Sequence, residues 1–268
     1  MTYGFLLDLD GTLYNGHHPI PHAAGFIEWL QHKEYPYLLV TNNSSRTPHE
    51  VTRHLLGLGI RVPESAVFTS SQAAALHLGA ADSSGKRRVY AIGEAGLMTA
   101  LAEAGFELTE TDPDYVVQGI DREFTYTKLA AAVKHIRAGA PHILTNPDLL
   151  LPWNGELTPG AGSIAASIQA SSQAEPVVIG KPSPVIMNLA IARLGLPAER
   201  IWAVGDNMLT DIRGGAAAGC RTALVLTGLA TKENAAAQIA AAGVQPDVIC
   251  DDLAAFRELL EQLPANNV

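Results

Sequence analysis

The chain of 268 residues has almost no cysteine: Cys220 and Cys250 stand in unrelated contexts, with no C-x-x-C pair. A disulfide framework is excluded, and a reducing, cytoplasmic setting is the expectation. No apolar run approaches the roughly 20 residues of a membrane-spanning helix, so no membrane partner is expected. Asp8 and Asp10 come too early to leave room for the apolar core of a signal peptide. Basic charge is also scarce. Lys and Arg number 18 against 27 Asp and Glu, a net charge of −9, which argues against a nucleic-acid surface. An acidic chain that handles an anionic substrate needs a metal or local cations to invert the field at its site. Internal repeats and low-complexity tracts are absent, apart from an Ala-rich helix expected around 234–242. There is no P-loop either: Gly180-Lys181 lacks the glycine five residues earlier, where Glu175 stands.

What the chain does have is alternation. Strands are expected over 5–8, 37–41, 89–93, 115–119, 142–145, 177–179, 201–205 and 221–226. Helices are expected over 23–33, 47–58, 95–104, 126–137, 162–172, 184–194 and 211–218, and again near the end of the chain. Strands alternating with helices predict an α/β fold, a parallel sheet wrapped by helices. With 47% hydrophobic residues, the chain can bury one large core or two modest ones. A polar, Gly-containing stretch over 79–88 breaks the series, and the first style resumes after Gly180. The expectation is a core built from both ends, residues 1–72 and 177–268, with a second domain of typical size over 73–176.

Four short segments carry candidate chemistry. Phe5 to Thr12 reads F-L-L-D-L-D-G-T, and alternation along a strand puts Asp8 and Asp10 on one side of the chain. Two carboxylates that close repel unless a shared proton or a hard cation such as Mg²⁺ compensates. Thr41-Asn42-Asn43-Ser44 offers a hydroxyl and backbone N–H groups ahead of a helix, a way to hold phosphate oxygens. Gly180-Lys181-Pro182-Ser183 supplies a point charge suited to phosphate. Gly205-Asp206-Asn207 through Asp211 adds oxygen ligands. Each segment is expected at the carboxyl end of a core strand or at the start of a helix facing it, where open α/β sheets bind ligands. Taken singly they also read as turns and caps: Thr-Asn-Asn-Ser as loop and N-cap chemistry, Asp211 as a helix cap. Their order and placement together point to an acid pair, phosphate donors, a lysine and a further acid pair.

Other candidates are weaker. His49-Glu50 has its next histidine, His54, five residues on and off the shared helix face, so it is no zinc-protease pattern. His17, His18 and His22 are expected in a solvated loop, and Asp251-Asp252 as a cap of the last helix.

The four segments resemble the four motifs of the haloacid dehalogenase superfamily, in order. T-N-N-S-S-R-T, T-N-P-D, G-K-P-S-P and G-D-N-x-x-T-D-I resemble its NagD-like, 4-nitrophenylphosphatase-like branch. The resemblance implies a Rossmann-like core with a large α/β cap inserted between the second and third motifs and selecting the substrate. It implies a Mg²⁺-dependent phosphatase of small phosphorylated metabolites, of the nucleoside monophosphate, sugar phosphate or phosphoglycolate type, acting as a monomer or homodimer. Asp8 would be the nucleophile and Asp10 the general acid and base. Thr41, Asn42 and Asn43 would hold the phosphoryl group, and Lys181 would neutralise it. Mg²⁺ would sit on Asp8, the Asp10 carbonyl and Asp206, with Asp211 orienting metal waters or Lys181. In the cap, Asp148 of Thr145-Asn146-Pro147-Asp148 would touch the substrate, and the turn Pro159-Gly160-Ala161-Gly162 would face the core site. A dehalogenase would need neither Asp10 nor Asp206. A phosphomutase shares the first acid pair, and a catalytically dead binding protein would show damage at Asp8 or Lys181.

Overall fold

The computed structural model describes residues 3–81, 85–153 and 156–262. Chain contacts divide it into two compact units: Met1–Thr41, His49–Phe68 and Met187–Val268 form one, and Asn42–Pro48 with Thr69–Ile186 the other. No helix among the described residues is long and apolar enough to cross a membrane.

The first unit is built on a six-stranded sheet in the order Val248–Cys250, Arg221–Val225, Ile201–Gly205, Gly4–Leu7, Tyr37–Thr41, Val67–Thr69. Pairing is parallel from the Val248–Cys250 edge through Tyr37–Thr41. The strand Gly4–Leu7 is buried at every residue. This continuous apolar run suits a central parallel strand covered on both faces. Helix Ala23–His32 buries Ala23, Phe26, Ile27 and Leu30, an i, i+3, i+4, i+7 stripe. Helix Leu253–Gln262 buries Leu253, Phe256 and Leu260. Both stripes meet on the ring of Phe5, whose centroid lies 6.2 Å from Phe26 and 6.4 Å from Phe256 in edge-on contacts. That aromatic cluster anchors the strand that ends at Asp8.

The second unit has its own all-parallel sheet, ordered Val177–Val178, His142–Leu144, Tyr115–Gln118, Arg88–Ile92, Glu107–Leu108. Helices Ala95–Glu103, Tyr126–Arg137 and Ala161–Ser172 belong to it. Thr125 caps the second of these, its hydroxyl oxygen accepting from the Lys128 N–H.

Several elements lie outside the expected pattern. Strand Val67–Thr69 leads into helix Ser70–Ala81, whose apolar residues are mostly alanines spread around the helix, so no stripe marks it. A hairpin of Leu150–Trp153 and Glu156–Pro159 carries a proline in each strand, which disguises both. A second, two-residue hairpin joins Tyr14–Asn15 to His18–Pro19. The helix expected over 211–218 begins as a wide π turn, Met208–Ile212, and continues as Arg213–Ala217. The polar break expected over 79–88 lies partly outside the described residues, at 82–84.

His142 is a polar outlier inside the second sheet. It is 2% exposed, and neither ring nitrogen has a hydrogen-bond partner among the described residues. Burial pushes its pKa down to about 4, so the folded chain keeps the ring neutral where the unfolded chain protonates it near pH 6.5. Its folded pKa is depressed, so the fold loses stability as pH falls below the unfolded value, until the folded pKa is reached. The loss between pH 7 and pH 4 is on the order of 3 kcal/mol. His142→Leu is expected to flatten the acid limb of a urea-midpoint-versus-pH curve by about that amount. An unchanged limb would remove His142 as its source.

Candidate active site

Leu7 pairs with Val204 on one side and Leu39 on the other, and the Asp8 N–H donates to the Val204 carbonyl at 2.9 Å. This register brings Asp8, Thr41 and Asp206 out at the same carboxyl edge of three adjacent parallel strands, where this kind of sheet binds ligands. Leu9 is buried, and its carbonyl accepts from the N–H groups of Thr12, Leu13 and Tyr14. The chain therefore turns tightly, with Asp8 and Asp10 flanking a side chain fixed in the core. Asp10 is exposed and accepts at Oδ2 from the Tyr14 hydroxyl at 3.3 Å. The Tyr14 ring rests edge-on against His54, 4.8 Å between centroids, and His54 Nε2 lies 3.1 Å from the Gly16 carbonyl oxygen. His17 also joins His54, at 5.8 Å.

Asp206 and Asp211 are 2% and 3% exposed, so their charges are taken out of water. Asp8, Asp206 and Asp211 each present a carboxylate oxygen, all within 4.8 Å of one another. The π turn makes this possible. Asn207 Oδ1 accepts from the Leu209 N–H at 2.9 Å, while the Asn207 N–H donates to Asp211 Oδ2 at 3.2 Å. The wide turn folds Asp211 back onto Gly205, where an added Cβ would lie 2.3 Å from Asp211 Oδ2. Gly11, at φ +84°, is equally confined, because a Cβ there would lie 2.2 Å from Asp206 Oδ2. Three converging carboxylates form a donor set for a hard, oxygen-seeking divalent cation.

The remaining motif residues lie in the second unit. Asn42 Nδ2 donates to the Asp148 carboxylate at 3.1 Å and to the Lys181 carbonyl at 3.0 Å. Asn146 Nδ2 donates to the Asn42 carbonyl at 2.8 Å. Gly180 lies so close that a Cβ there would meet the Thr145 carbonyl at 2.4 Å and Asn42 Oδ1 at 2.6 Å. Three segments remote in sequence are thus tied together, and Lys181, 4% exposed, takes its backbone position from the knot. Asn43 Oδ1 accepts from the Ser45 N–H and hydroxyl and from the Arg46 N–H, which shapes the loop after Thr41. Of the turn at 159–162, Gly160 and Gly162 pack on the carbonyls of Asp148 and Pro147, so it supports the Asp148 loop.

Two contributors carried no recognisable motif. One is Tyr14, at the start of the stretch expected only as a solvated loop. The other is the loop after strand Arg221–Val225, whose Leu229 N–H donates to Asp206 Oδ2 at 2.6 Å. Both cysteines are buried and free. Burial pushes the Cys220 thiol up to about 12. Burial, with Asp252 and Asp251 adding to it, pushes Cys250 to about 11, so neither is a nucleophile. Asp252 caps the last helix, accepting from the Ala255 N–H at 2.9 Å.

Residues 5–107 match the haloacid dehalogenase-like hydrolase family, and residues 178–256 a HAD-hydrolase-like family. A 5'-nucleotidase of Bacillus subtilis is 44% identical over 234 residues, 87% of this chain and 91% of the relative. The p-nitrophenyl phosphatase from Archaeoglobus fulgidus superposes with a TM-score of 0.91 at 32% identity, covering 96% of this chain and 99% of that one. A glycerol phosphate phosphatase from Mycobacterium tuberculosis, solved in complex with magnesium, superposes at 0.86 with 35% identity, covering 95% and 76%. The chain belongs to the haloacid dehalogenase superfamily, in the branch that holds NagD and the 4-nitrophenylphosphatases, and is a phosphatase of that type.

The Asn42–Asp148 contact carries a prediction. Asp148→Ala frees the Asn42 amide that holds the Lys181 carbonyl, so it is expected to lower kcat/KM roughly tenfold, the cost of one hydrogen bond to a charged group. The loss is expected to be equal for p-nitrophenyl phosphate and for the best metabolite found in a substrate panel. A loss confined to the metabolite would put Asp148 against the substrate instead.

Proposed function

We propose that the chain hydrolyses small-molecule phosphomonoesters, of the nucleoside monophosphate, sugar phosphate or phosphoglycolate type, with Mg²⁺ and through an aspartyl-phosphate on Asp8. The observation that supports this reading is the convergence of the Asp8, Asp206 and Asp211 carboxylates to within 4.8 Å, next to Asp10 and at the carboxyl edge of the sheet. Asp8, the Asp10 backbone carbonyl and Asp206 would hold the ion, and Asp211 would order its water ligands. When bound, Mg²⁺ supplies the positive charge that lets an anionic carboxylate approach an anionic phosphoryl group.

Asp8 attacks phosphorus in line with the ester oxygen, so the new Asp8–phosphorus bond forms as the bond to the leaving group breaks. Asp10 gives its proton to the departing alkoxide. It then takes a proton from the water that attacks the phosphorus of the acyl phosphate, which returns Asp8 and releases inorganic phosphate. The Thr41 hydroxyl and the Asn42-Asn43 backbone would hold the transferring oxygens, and Lys181 would neutralise them, the electrostatic part on which this chemistry mostly depends. Residues 73–176 would form the specificity domain, with 1–72 and 177–268 as the catalytic core. The acidic, thiol-reduced chain suits a cytoplasmic enzyme that takes small metabolites rather than nucleic acid, as a monomer or homodimer.

Asp8→Asn is expected to keep the fold, by circular dichroism, and to lower kcat by a factor on the order of 10⁴ or more. Retention of a tenth of the activity would reject Asp8 as nucleophile. Asp10→Asn is expected to slow an alkyl phosphate far more than an aryl phosphate, whose leaving group departs with little protonation. Equal losses would argue against Asp10 as the acid. Exhaustive chelation should abolish turnover, with Mg²⁺ restoring it and Ca²⁺ failing to, since the larger ion recruits more oxygens. Full activity in chelator would remove the metal from the scheme.

A further inference from the structure

The loop over 226–230 lies 20 residues or more beyond Asp206 and belongs to none of the four motif segments, yet it touches the acid cluster at several points. Leu229 donates its N–H to Asp206 Oδ2 at 2.6 Å, and Ala230 donates its N–H to the Asp206 carbonyl at 3.0 Å. The Thr227 hydroxyl donates to the Gly11 carbonyl at 2.7 Å. Between them stands Gly228, where an added Cβ would lie 2.1 Å from Asp206 Oδ2 and 2.6 Å from Gly11 Cα. Asp206 is therefore clasped between two glycines, Gly11 and Gly228, that no side-chain-bearing residue can replace without moving it.

The side chain of Leu229 does not explain the loop, being 62% exposed. Its peptide is what the fold invests in. The Leu229 carbonyl accepts from Asn234 Nδ2 at 2.9 Å and from Gln238 Nε2 at 2.7 Å. Asn234 precedes helix Ala235–Ala242 and also accepts at Oδ1 from the Thr231 N–H, at 2.8 Å. Two amides thus hold the carbonyl of the Leu229–Ala230 peptide, whose N–H donates to the Asp206 carbonyl, and the preceding Gly228–Leu229 peptide aims its N–H at the Asp206 carboxylate.

We infer that Thr227, Gly228 and Leu229 form a fifth site segment that positions Asp206 for the metal, with Asn234 and Gln238 as its outer support. The Leu229 N–H donates to Oδ2 and fixes the rotation of the carboxyl group, so that the carboxylate would meet the ion in one orientation. The Thr227 hydroxyl locks the same loop to the Gly11 turn, so the Asp8–Asp10 segment and Asp206 keep their spacing. The inference rests on the metal reading above. Ligand-orienting partners of this kind typically change metal affinity by 10–100-fold, about the effect looked for here.

The test is Mg²⁺ binding by calorimetry on the purified full chain, without substrate, alongside the circular dichroism spectrum and thermal midpoint in chelator. Gly228→Ala and Thr227→Val are expected to weaken Mg²⁺ binding by about tenfold or more, Gln238→Ala by a few-fold, and Thr227→Ser, which keeps the hydroxyl, to restore it. Gln238 is only partly buried, so its variant keeps the question answerable should Gly228→Ala not fold. Variants with native spectra and wild-type Mg²⁺ affinity overturn the inference while leaving the metal reading standing. A wild-type chain that binds no Mg²⁺ overturns both.

Discussion

The close approach of three carboxylates is the constraint around which the first unit is organised. Asp206 and Asp211 are almost wholly buried, each presenting an oxygen within 4.8 Å of one on Asp8, and buried carboxylates are tolerated only where donors such as the Leu229 and Asn207 N–H groups meet them. The surrounding structure holds the arrangement in place. The apolar strand Gly4–Leu7, fixed by Phe5 between two helices, sets the height at which Asp8 emerges. Parallel pairing with Ile201–Gly205 sets Asp206 beside it. The glycines at 11, 205 and 228 exist because a Cβ at any of them would enter a carboxylate. In the proposed reading, a divalent cation bound there would offset the carboxylate charges, and the same positive charge would meet an anionic phosphoryl group.

The second unit handles a different problem, the placement of one buried ammonium group. Lys181 has no regular element of its own beyond the turn before helix Pro184–Leu194. Its backbone is held by the Asn42 amide, which in turn leans on Asp148, 106 positions away. Polar ties of this kind are costly to leave half-made, which is why the Thr145–Asp148 loop and Gly180 are packed so closely. Two of the residues expected at the substrate, Asn42 and Asp148, have side chains directed at each other.

Most of the sheet strands and the acid residues were legible in the sequence because they obey local rules. Apolar runs of four to five residues ended in Asp or Thr-Asn, and amphipathic stripes such as Ala23, Phe26, Ile27 and Leu30 marked the helices. The misses have local causes as well. Helix Ser70–Ala81 has alanines where a stripe would need large residues, and the Leu150–Trp153 hairpin hides behind its prolines. The π turn at Met208–Ile212 reads as ordinary helix, because its extra width is imposed by the Asn207–Asp211 hydrogen bonds rather than by composition. Long-range contacts were invisible for a deeper reason: nothing in Thr227-Gly228-Leu229 reports that Gly11, 216 positions earlier, lies against it.

The proposed reaction turns on a covalent bond between the Asp8 carboxylate and phosphorus. The direct measurement is acid-quench mass spectrometry of Asp10→Asn enzyme mixed with p-nitrophenyl phosphate and Mg²⁺. The aryl leaving group needs little acid, whereas the water that clears the intermediate needs a base, so phosphoenzyme accumulates. One phosphoryl group per chain is expected, in the peptide that carries Asp8 and removable by hydroxylamine. A burst of nitrophenol with no phosphoryl group on the protein, or one on any residue other than Asp8, would contradict it.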